Sequence, residues 1–329
     1  MNVDFLLESF AQSGGRQVLL RYAEHLAGSG HTVRVLARED GPMRRGVDLA
    51  VELHPHPETR CNGDLTVFSA HEFAEPLFKP NRTRPVLLCQ GAVWEDRREK
   101  IAHAGRMAKQ GLVNRIHWGR RLKRQERKLR EIERAYRLPI PRIAVSPNLE
   151  RKLLEEFGGE VHLVRNGIDL DRFHPPENHP KPVGSPVTIL SVGSAALEVK
   201  RIGDLLEAVR RLKAKPPDGL SFRLARVAPD AMPERERSMG VTDDYRTDIA
   251  PGALAELYRA ADMLVACSAP AEGFGLPPVE AMASGAPTVL TRIPAFTTYA
   301  APADYARFVE EGDVDGLERA IVELATGAA

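Results

Sequence analysis

Cysteine is scarce in this sequence of 329 residues, and its scarcity excludes a disulfide-stapled fold. The three cysteines, Cys61, Cys89 and Cys267, are odd in number and far apart, so no pair has the spacing of metal ligands. We therefore predict that each is a small buried residue in a protein of a reducing compartment.

The sequence also lacks a long apolar run. No stretch approaches the roughly 20 apolar residues that a membrane-spanning helix needs. The N-terminus has no basic start, and its apolar run ends at Glu8, which is too early for a secretory signal peptide. These absences predict a cytoplasmic protein that is at most peripheral on the inner face of the cell membrane.

Neither sign of charge is in excess over the whole chain, because the formal net charge is only +1. The total charge therefore indicates no particular partner. The length is too great for one ordinary core and suits two domains of roughly 150 residues each.

What the sequence does contain is an alternation of strand-like and helix-like segments. The predicted strands are residues 3–7, 32–37, 65–69, 86–89, 142–145, 187–192, 222–227, 263–267 and 288–291. The predicted helices include residues 18–26, 202–212, 254–261, 278–284 and 315–325. Such alternation predicts an α/β fold in which parallel sheets are covered by helices on both faces.

A proline-rich segment at residues 174–186 interrupts this alternation, and it can continue neither a helix nor a central strand. We therefore predict an N-terminal domain over residues 1–173, a linker over 174–186 and a C-terminal domain over 187–329. Both domains are predicted to be doubly wound and to face a shared cleft, with ligands bound beyond the carboxyl ends of the strands.

Two glutamates stand at that predicted edge of the second domain, between a strand and the helix that follows it. Gly273 and Gly275 let backbone amides approach a ligand closely, and amides at a helix start suit a diphosphate. The carboxylates of Glu272 and Glu280 would repel phosphate, but they accept hydrogen bonds from vicinal hydroxyls. A single glutamate here could simply favour the helix dipole. The whole constellation instead predicts a ribose and a sugar at the glutamates, with phosphates between them.

Residues 262–287, DMLVACSAPAEGFGLPPVEAMASGAP, are the most specific part of the chain. Weaker motifs stand in order around them, at residues 13–15 (SGG), 144–146 (AVS), 166–173 (NGIDLDRF), 192–193 (VG) and 257–262 (LYRAAD). Together they resemble the retaining glycosyltransferases of family four, the group 1 type, over nearly the whole chain. Members often continue into a further helix after the one predicted at 315–325, so the resemblance implies either a shorter variant or a trimmed chain.

This resemblance implies the GT-B architecture of two Rossmann-like domains, with the acceptor on the first and a nucleotide sugar on the second. It implies transfer of a hexose from a nucleoside diphosphate sugar to a hydroxyl of a glycan, a lipid-linked saccharide or a small molecule. The anomeric configuration would be retained, as in cell-envelope glycan biosynthesis. The implied reaction needs no cofactor and no metal, and the implied partners are the donor and the acceptor.

Family roles carry over to matching positions of this sequence. Glu272 and Lys200 would be the catalytic pair, with Glu272 on the hydroxyls of the donor sugar and Lys200 on the diphosphate. Glu280 would hold the ribose. The other donor contacts implied are the loop Gly273, Phe274, Gly275 and Leu276, and Gly14 and Gly15 of the first domain.

Two departures from the family stand near this site. Ser194 replaces an arginine that usually follows the glycine of residues 192–193, so one cation for the diphosphate is missing. Arg201, where the family often has glycine, is a candidate to replace that charge. The departure leaves open a second hypothesis, namely a weak or inactive relative that binds a sugar nucleotide or a partner.

The second departure is Gln90, which follows a first-domain strand where many members have histidine. Glutamine can bond a sugar hydroxyl but cannot act as a base. His71 also ends a strand and is a further acceptor-side candidate, although a lone histidine in a loop is more often structural. Asp169 and Asp171 could suggest a metal, but they belong to the family turn, so no metal site is predicted.

Positive charge is concentrated between Arg97 and Arg137. This segment contains fifteen Lys and Arg residues and four Glu residues, an excess of eleven positive charges, with apolar residues interleaved. The pattern suits a helix on an anionic membrane surface. A solvated helical face is a nearly equal alternative. Nucleic-acid binding is not predicted, because no aromatic platform or binding motif accompanies the charge.

Overall fold

The computed structural model describes the chain except residues 12, 80, 81, 110, 111, 178–183, 248, 328 and 329, and the side chains of 45, 46, 112–117 and 251. The chain forms two compact units, Met1–Arg165 and Asn166–Ala329. Residues 166–173, which we assigned to the first domain, are therefore part of the second unit. Phe173 is buried there, and its ring lies 5.9 Å from that of Tyr258. Residues 178–183 of the predicted linker lie outside the described residues.

The first unit is built on a seven-stranded parallel sheet with the order β3-β2-β1-β4-β5-β6-β7. Its strands are β1 Asn2–Ser9, β2 Thr32–Glu39, β3 Ala50–Leu53, β4 Leu65–Phe68, β5 Arg84–Cys89, β6 Arg142–Ala144 and β7 Val161–Leu163. Its α-helices are α1 Gly14–Gly28, α2 Ala74–Phe78, α3 Val93–Ala108, α4 Leu112–Tyr136 and α5 Pro147–Phe157.

The second unit has a six-stranded parallel sheet with the order β10-β9-β8-β11-β12-β13. Its strands are β8 Val187–Val192, β9 Phe222–Val227, β10 Asp244–Arg246, β11 Met263–Ala266, β12 Thr288–Thr291 and β13 Arg307–Val309. Its α-helices are α6 Ile202–Ala214, α7 Glu234–Met239, α8 Pro251–Ala260, α9 Leu276–Ala283, α10 Pro294–Thr297 and α11 Val314–Thr326.

Central strands of both sheets are buried on both faces, as parallel sheets require. In β1 the run from Val3 to Leu7 is continuously buried. In the second unit, Ile189, Leu224 and Val265 pack with the apolar face of α6 on one side of the sheet. The predicted α/β class and the two Rossmann-like units are thus confirmed, and β8, β9 and β12 have the bounds that the sequence predicts.

Side chains of the loops cap the helices that follow them. Ser13 accepts a hydrogen bond from the amide of Arg16 at 3.2 Å and so fixes the start of α1 beyond the end of β1. Ser146 and Asp313 cap α5 and α11 in the same way. Such caps satisfy amides that have no partner within the helix, and they locate the strand-to-helix turns where ligands bind.

All three cysteines are buried free thiols, as predicted. Burial raises the pKa of each thiol to about 12, so none is a thiolate nucleophile at neutral pH. Among the residues that the structure describes, no helix is long and apolar enough to cross a membrane.

Candidate functional site

The strand order of the second sheet reverses direction between β8 and β11, and crevices at such a point bind ligands in doubly wound folds. A small open cavity lies there. Its lining residues are Ser191, Val192, Lys200, Ile202, Ala266, Cys267, Ser268, Pro277, Pro278 and Phe296. Residues from β8, β11 and α9 therefore meet at the edge where the sequence predicts the nucleotide sugar.

Lys200 and Glu272 form an ion pair beside this cavity. The ammonium Nζ of Lys200 lies 2.7 Å from Oε2 of Glu272, and the hydroxyl of Ser268 donates to the same oxygen at 3.0 Å. Only 18% of the Lys200 side chain and 13% of the Glu272 side chain are exposed. Two residues far apart in the sequence are thus brought together, in a place with little water to screen them.

Burial alone would raise the pKa of Glu272, but the charge and the hydrogen bond of Lys200 outweigh it. Hydrogen bonds from Ser268 and from the Gly273 amide act in the same direction. The pKa of Glu272 is therefore lowered, and the carboxylate is ionised at neutral pH.

Glu280 lies on α9 and is 4% exposed. The hydroxyl of Tyr258, a fully buried residue of α8, donates to Oε2 of Glu280 at 3.1 Å. Burial, followed by the nearby Glu280 charge, raises the pKa of Tyr258 well above its ordinary value, so this phenol stays a donor. The hydrogen bond from Tyr258 therefore restrains the carboxylate of Glu280.

The loop between Glu272 and α9 has backbone geometry that demands glycine. Gly275 has φ +81°, a left-handed conformation. A Cβ atom at this residue would lie 2.4 Å from Cε1 of Phe296 and 2.8 Å from the hydroxyl of Tyr299. That hydroxyl donates to the carbonyl oxygen of Phe274 at 2.6 Å and to that of Gly275 at 2.9 Å.

Ser194 follows β8 but is 4% exposed. Its hydroxyl donates to the carboxylate of Asp230 and accepts from the amide of Ala196 at 3.1 Å. A buried arginine, Arg226 of β9, donates to the carbonyl of Gly193 at 2.9 Å and pairs with Glu236 at 3.2 Å. Ser194 is thus part of a hydrogen-bonded turn, and its neighbouring carboxylate adds negative charge where the family has positive charge.

Arg201 is not among the residues that line the cavity. Its guanidinium pairs with Asp204 at 2.8 Å and with Glu311 at 3.0 Å. Its φ of +45° is left-handed, which explains why a glycine suits this position. In this structure the charge of Arg201 is engaged by carboxylates, so Lys200 is the cation at the cavity.

In the first unit, Gln90 follows β5 and donates from Nε2 to the carbonyl oxygen of Gly15 at 2.6 Å. A Cβ atom at Gly15 would lie 3.1 Å from Oε1 of Gln90, so a glycine permits this close approach. Gly14 and Gly15 open α1 after the Ser13 cap. The predicted glycine motif and the predicted acceptor-side glutamine are therefore brought into direct contact.

His71 follows β4 in a short 3₁₀ helix, His71–Phe73. Burial is the main cause that lowers the pKa of His71, so the ring is neutral near pH 7. Glu8 at the end of β1 has a raised pKa, because a hydrogen bond with Glu72 adds to burial and to the repulsion between the two carboxylates. His71 thus belongs to a group of ionisable side chains at the carboxyl ends of β1 and β4.

Asp169 shapes a turn. Its side chain accepts from the amide of Arg172 at 3.1 Å, and its carbonyl accepts from the amide of Phe173. Over the described part of the chain, no group of three or more His, Cys, Asp or Glu side chains could hold a metal ion.

The basic segment forms the helices α3 and α4, which pack against each other. The outward face of α4, which we call the basic face, consists of Arg120, Lys123, Arg124, Arg127, Arg130 and Arg134, all exposed. Its inward side packs on the protein, with Ile132 and Tyr136 buried. The side chains of residues 112–117, which include Arg115 and the apolar Leu112, Val113 and Ile116, lie outside the described residues.

Sequence reasoning missed the residues that support the site. Tyr258 and Ser268 lie within the quoted motifs but were given no role, and for Ser268 a hydroxyl shortly after a strand was the available signal. Asp230 and Tyr299 reach the site from other loops. No local pattern marks these two residues.

The two units together define a fold class. Each is a doubly wound parallel sheet, and the second carries buried carboxylates, a lysine and glycine-rich backbone at its switch point. HepE of Anabaena, solved in complex with UDP-glucose, has the same fold. It superposes with a TM-score of 0.73 over 100% of this chain and 90% of its own, at 15% identity. The chain thus has the GT-B fold.

Residues 186–326 match the family model described as Glycosyl transferases group 1. The chain is 30% identical over 240 residues to the MMP alpha-(1->4)-mannosyltransferase of Mycolicibacterium hassiacum, covering 70% of this chain and 54% of that protein. It is 30% identical over 188 residues to the phosphatidyl-myo-inositol mannosyltransferase of Mycolicibacterium smegmatis, covering 56% and 48%. The aligned regions span about half the length of these relatives. The chain belongs to the GT4-type group 1 glycosyltransferases.

Proposed function

We propose that this protein transfers a hexose from a nucleoside diphosphate sugar to a hydroxyl of a saccharide or lipid-linked acceptor, with retention of the anomeric configuration. The observation that carries the proposal is the pairing of Lys200, Glu272 and Ser268 at the start of the loop that leads into α9, the helix with the buried Glu280. Both named relatives are mannosyltransferases, and HepE was solved with UDP-glucose, which supports a nucleotide-sugar donor.

In this proposal Glu280 receives the ribose. A carboxylate has about four lone-pair sites, so the bond from Tyr258 is compatible with accepting two vicinal hydroxyls. Glu272 orients the sugar, and its lowered pKa keeps it an acceptor rather than an acid. Lys200 has three N–H donors, so it can keep its bond to Glu272 while it reaches a phosphate oxygen.

Charge grows on the diphosphate as the glycosidic bond breaks, and fixed donors at that place lower the barrier. Lys200 and the backbone amides of the 273–276 loop would supply these donors. The leaving phosphate would accept the proton of the acceptor hydroxyl, so the reaction needs no histidine at Gln90. We propose that it proceeds without a metal or a cofactor, and unchanged rates in chelator would support this.

The test is a screen of UDP-, GDP- and ADP-sugars for release of the nucleoside diphosphate, beginning with the mannose and glucose donors. Glu280→Ala is the matched binding variant, and it should greatly weaken nucleotide affinity in calorimetry. Wild-type turnover, including slow hydrolysis, would exclude the alternative of an inactive relative that Ser194 suggests. Unchanged nucleotide affinity in Glu280→Ala would refute the donor site. NMR of the product would report the anomeric configuration.

We further propose that the basic face of α4 binds an anionic membrane surface, which would bring the site to a lipid-linked acceptor. Within the described part of the chain, Arg120, Lys123, Arg124 and Arg130 form no ion pair, whereas Arg127 pairs with Glu131. In the described part of α4, Ile132 and Tyr136 are packed inward, so the contact proposed for this part of the helix is electrostatic and not an insertion of apolar side chains.

Each basic residue near an anionic surface contributes about 1 kcal/mol, so removing three should weaken binding about a hundredfold at low salt. Arg120, Lys123 and Arg124 would be changed together to Gln, with Lys215, Arg223 and Arg235 of the second unit as the charge-matched control. Co-sedimentation with phosphatidylglycerol vesicles over a salt series is the measurement. Equal loss in both triple variants, or no wild-type binding at low salt, would exclude this surface.

A further inference from the structure

Phe274, in the loop between Glu272 and α9, packs with four further aromatic side chains, Phe296, Tyr299, Tyr305 and Phe308, and we call these five the aromatic cluster. The ring centroid of Tyr299 lies 5.4 Å from that of Phe274, 6.1 Å from that of Phe296 and 5.9 Å from that of Tyr305. Tyr299 is therefore the central member of the cluster, and it contacts the loop directly.

Tyr299 does more than pack. Its hydroxyl donates to two successive carbonyl oxygens, that of Phe274 at 2.6 Å and that of Gly275 at 2.9 Å. Burial raises the pKa of Tyr299 well above its ordinary value, and the charge of Glu272 adds to the effect. The phenol therefore stays protonated, and one side chain controls the direction of two peptide groups.

The direction of these carbonyls also determines where the backbone N–H groups point. In a planar trans peptide, the C=O and the N–H of the same peptide group point in opposite directions. The C=O of Phe274 shares its peptide group with the N–H of Gly275, and the C=O of Gly275 shares its group with the N–H of Leu276. Because both carbonyls point at Tyr299, both amides point away from the aromatic cluster.

These two amides matter because α9 begins with few donors. Residues 277 and 278 are both proline and have no N–H, so the first turn lacks two of the amides that usually bind an anion. The anion-binding capacity of this helix start therefore depends on the amides of Gly275 and Leu276. Any group that fixes their direction controls that capacity.

We propose that Tyr299 is a positioning residue that aims the amides of Gly275 and Leu276 at the diphosphate of the donor. The inference rests on the proposed function, because it assumes a nucleoside diphosphate at this site. It also explains the close packing at Gly275, where a Cβ atom would collide with Phe296 and Tyr299. Only a glycine lets the loop come within reach of the hydroxyl.

The test is Tyr299→Phe, which removes the hydroxyl and keeps the ring. Calorimetry would compare the affinity for a nucleoside diphosphate, chosen as the one that wild type binds among UDP, GDP and ADP, with that for its nucleoside. Misdirected amides should weaken diphosphate binding about tenfold, the cost of one charge-assisted hydrogen bond, and leave nucleoside binding unchanged. With a turned-over donor, kcat should fall along with affinity.

Tyr305→Phe is the matched control, because its hydroxyl lies in the same cluster but donates to the carbonyl of Phe296. It should change the melting temperature without changing the ratio of diphosphate to nucleoside affinity. Gly275→Ala reaches the same loop by a second route, since it pushes the backbone away from Tyr299. It should reproduce the diphosphate-specific loss even if Tyr299→Phe folds poorly.

The outcomes separate this inference from the proposed function. If wild type binds a nucleoside diphosphate and Tyr299→Phe weakens diphosphate and nucleoside equally, or leaves both unchanged, then Tyr299 is only a structural residue and the donor site stands. If wild type binds none of the three diphosphates, both the proposed function and the role of Tyr299 are overturned.

Discussion

Both sheets contain the strand order 3-2-1-4-5-6 in their own numbering, to which the first sheet adds a seventh strand, and yet their switch points are built differently. At the β8–β11 switch point, charged groups are buried and hydrogen-bonded: Lys200 bonds to Glu272, and Tyr258 bonds to Glu280. At the β1–β4 edge, the side chains are more exposed, and 41% of the Glu8 side chain is accessible. The common topology therefore determines where polar residues gather, while burial determines how firmly they are held.

This difference matches a division of tasks in the proposed reaction. A diphosphate and a developing charge need donors that are fixed in advance. Variation in acceptors is easier to accommodate with neutral contacts, such as the bond from Gln90 to Gly15. If this division is correct, substitutions at the β8–β11 switch point should reduce stability or activity far more than comparable substitutions at the β1–β4 switch point.

The largest effect on stability is expected at a buried ion pair of the second unit. Arg226 and Glu236 are 0% and 1% exposed, so Glu236→Ala would leave a buried guanidinium without its carboxylate. We expect a loss of about 3–5 kcal/mol in the free energy of unfolding, measured by urea denaturation.

Replacing both partners provides the control for this ion pair. Arg226→Met with Glu236→Leu should recover most of the loss, because an apolar pair needs no charge compensation. If the single Glu236→Ala variant were as stable as wild type, the stability of the second unit would not depend on this buried ion pair.

The next effect is expected in catalysis, at Lys200. Lys200→Met removes the cation at the cavity while keeping most of the side-chain volume. The rate of donor turnover should fall by about 10²–10³, as for loss of one preorganised donor. Lys213→Met is the control, because Lys213 pairs with Asp243 away from the cavity. Equal rates in the two variants would place the diphosphate elsewhere.

A pH dependence follows from Glu272. Its pKa is lowered in the folded state, so its contribution to stability is complete above the ordinary carboxyl pKa and is lost as pH falls through the lowered value. The stability difference between wild type and Glu272→Gln should therefore stay constant above the ordinary carboxyl pKa and shrink as the pH falls below it in urea titrations. In Lys200→Met, the cation would no longer outweigh burial, which raises the pKa of Glu272, so this acid dependence should weaken or reverse. A difference that stays constant with pH would contradict the lowered pKa.

Prediction from sequence succeeded at the centres of the sheets and failed at their borders. The strands that were not predicted are β3, β7, β10 and β13, and each of them is an edge strand. Edge strands pair on one side only and are short, so segments such as Asp244–Arg246 carry no apolar run that a pattern could detect. The central strands, buried on both faces, have continuous apolar runs.

The site residues also fall into two groups, those that a local motif carries and those that only the fold brings together. Glu272, Glu280 and Lys200 could be named because local motifs carry them, and the structure brings Lys200 and Glu272 within hydrogen-bonding distance. Their supports, Tyr258 and Tyr299, are recognisable only once the fold places distant segments together. Ser194 could be recognised as a departure, but its partner Asp230 lies 36 residues away and no spacing rule connects them.

The smallest effect is expected at the first edge, where Gln90→Ala removes one neutral hydrogen bond to Gly15. Such a bond contributes about 1 kcal/mol, so the melting temperature should fall by only a few degrees. Gly15→Ala is the matched variant, since its methyl group would press on the Gln90 amide from the other side. If instead either variant abolishes transfer to the acceptor and leaves donor hydrolysis intact, the β1–β4 switch point depends on fixed contacts as much as the β8–β11 switch point does. Transfer and hydrolysis rates measured side by side with one donor distinguish these outcomes, because only transfer uses the acceptor.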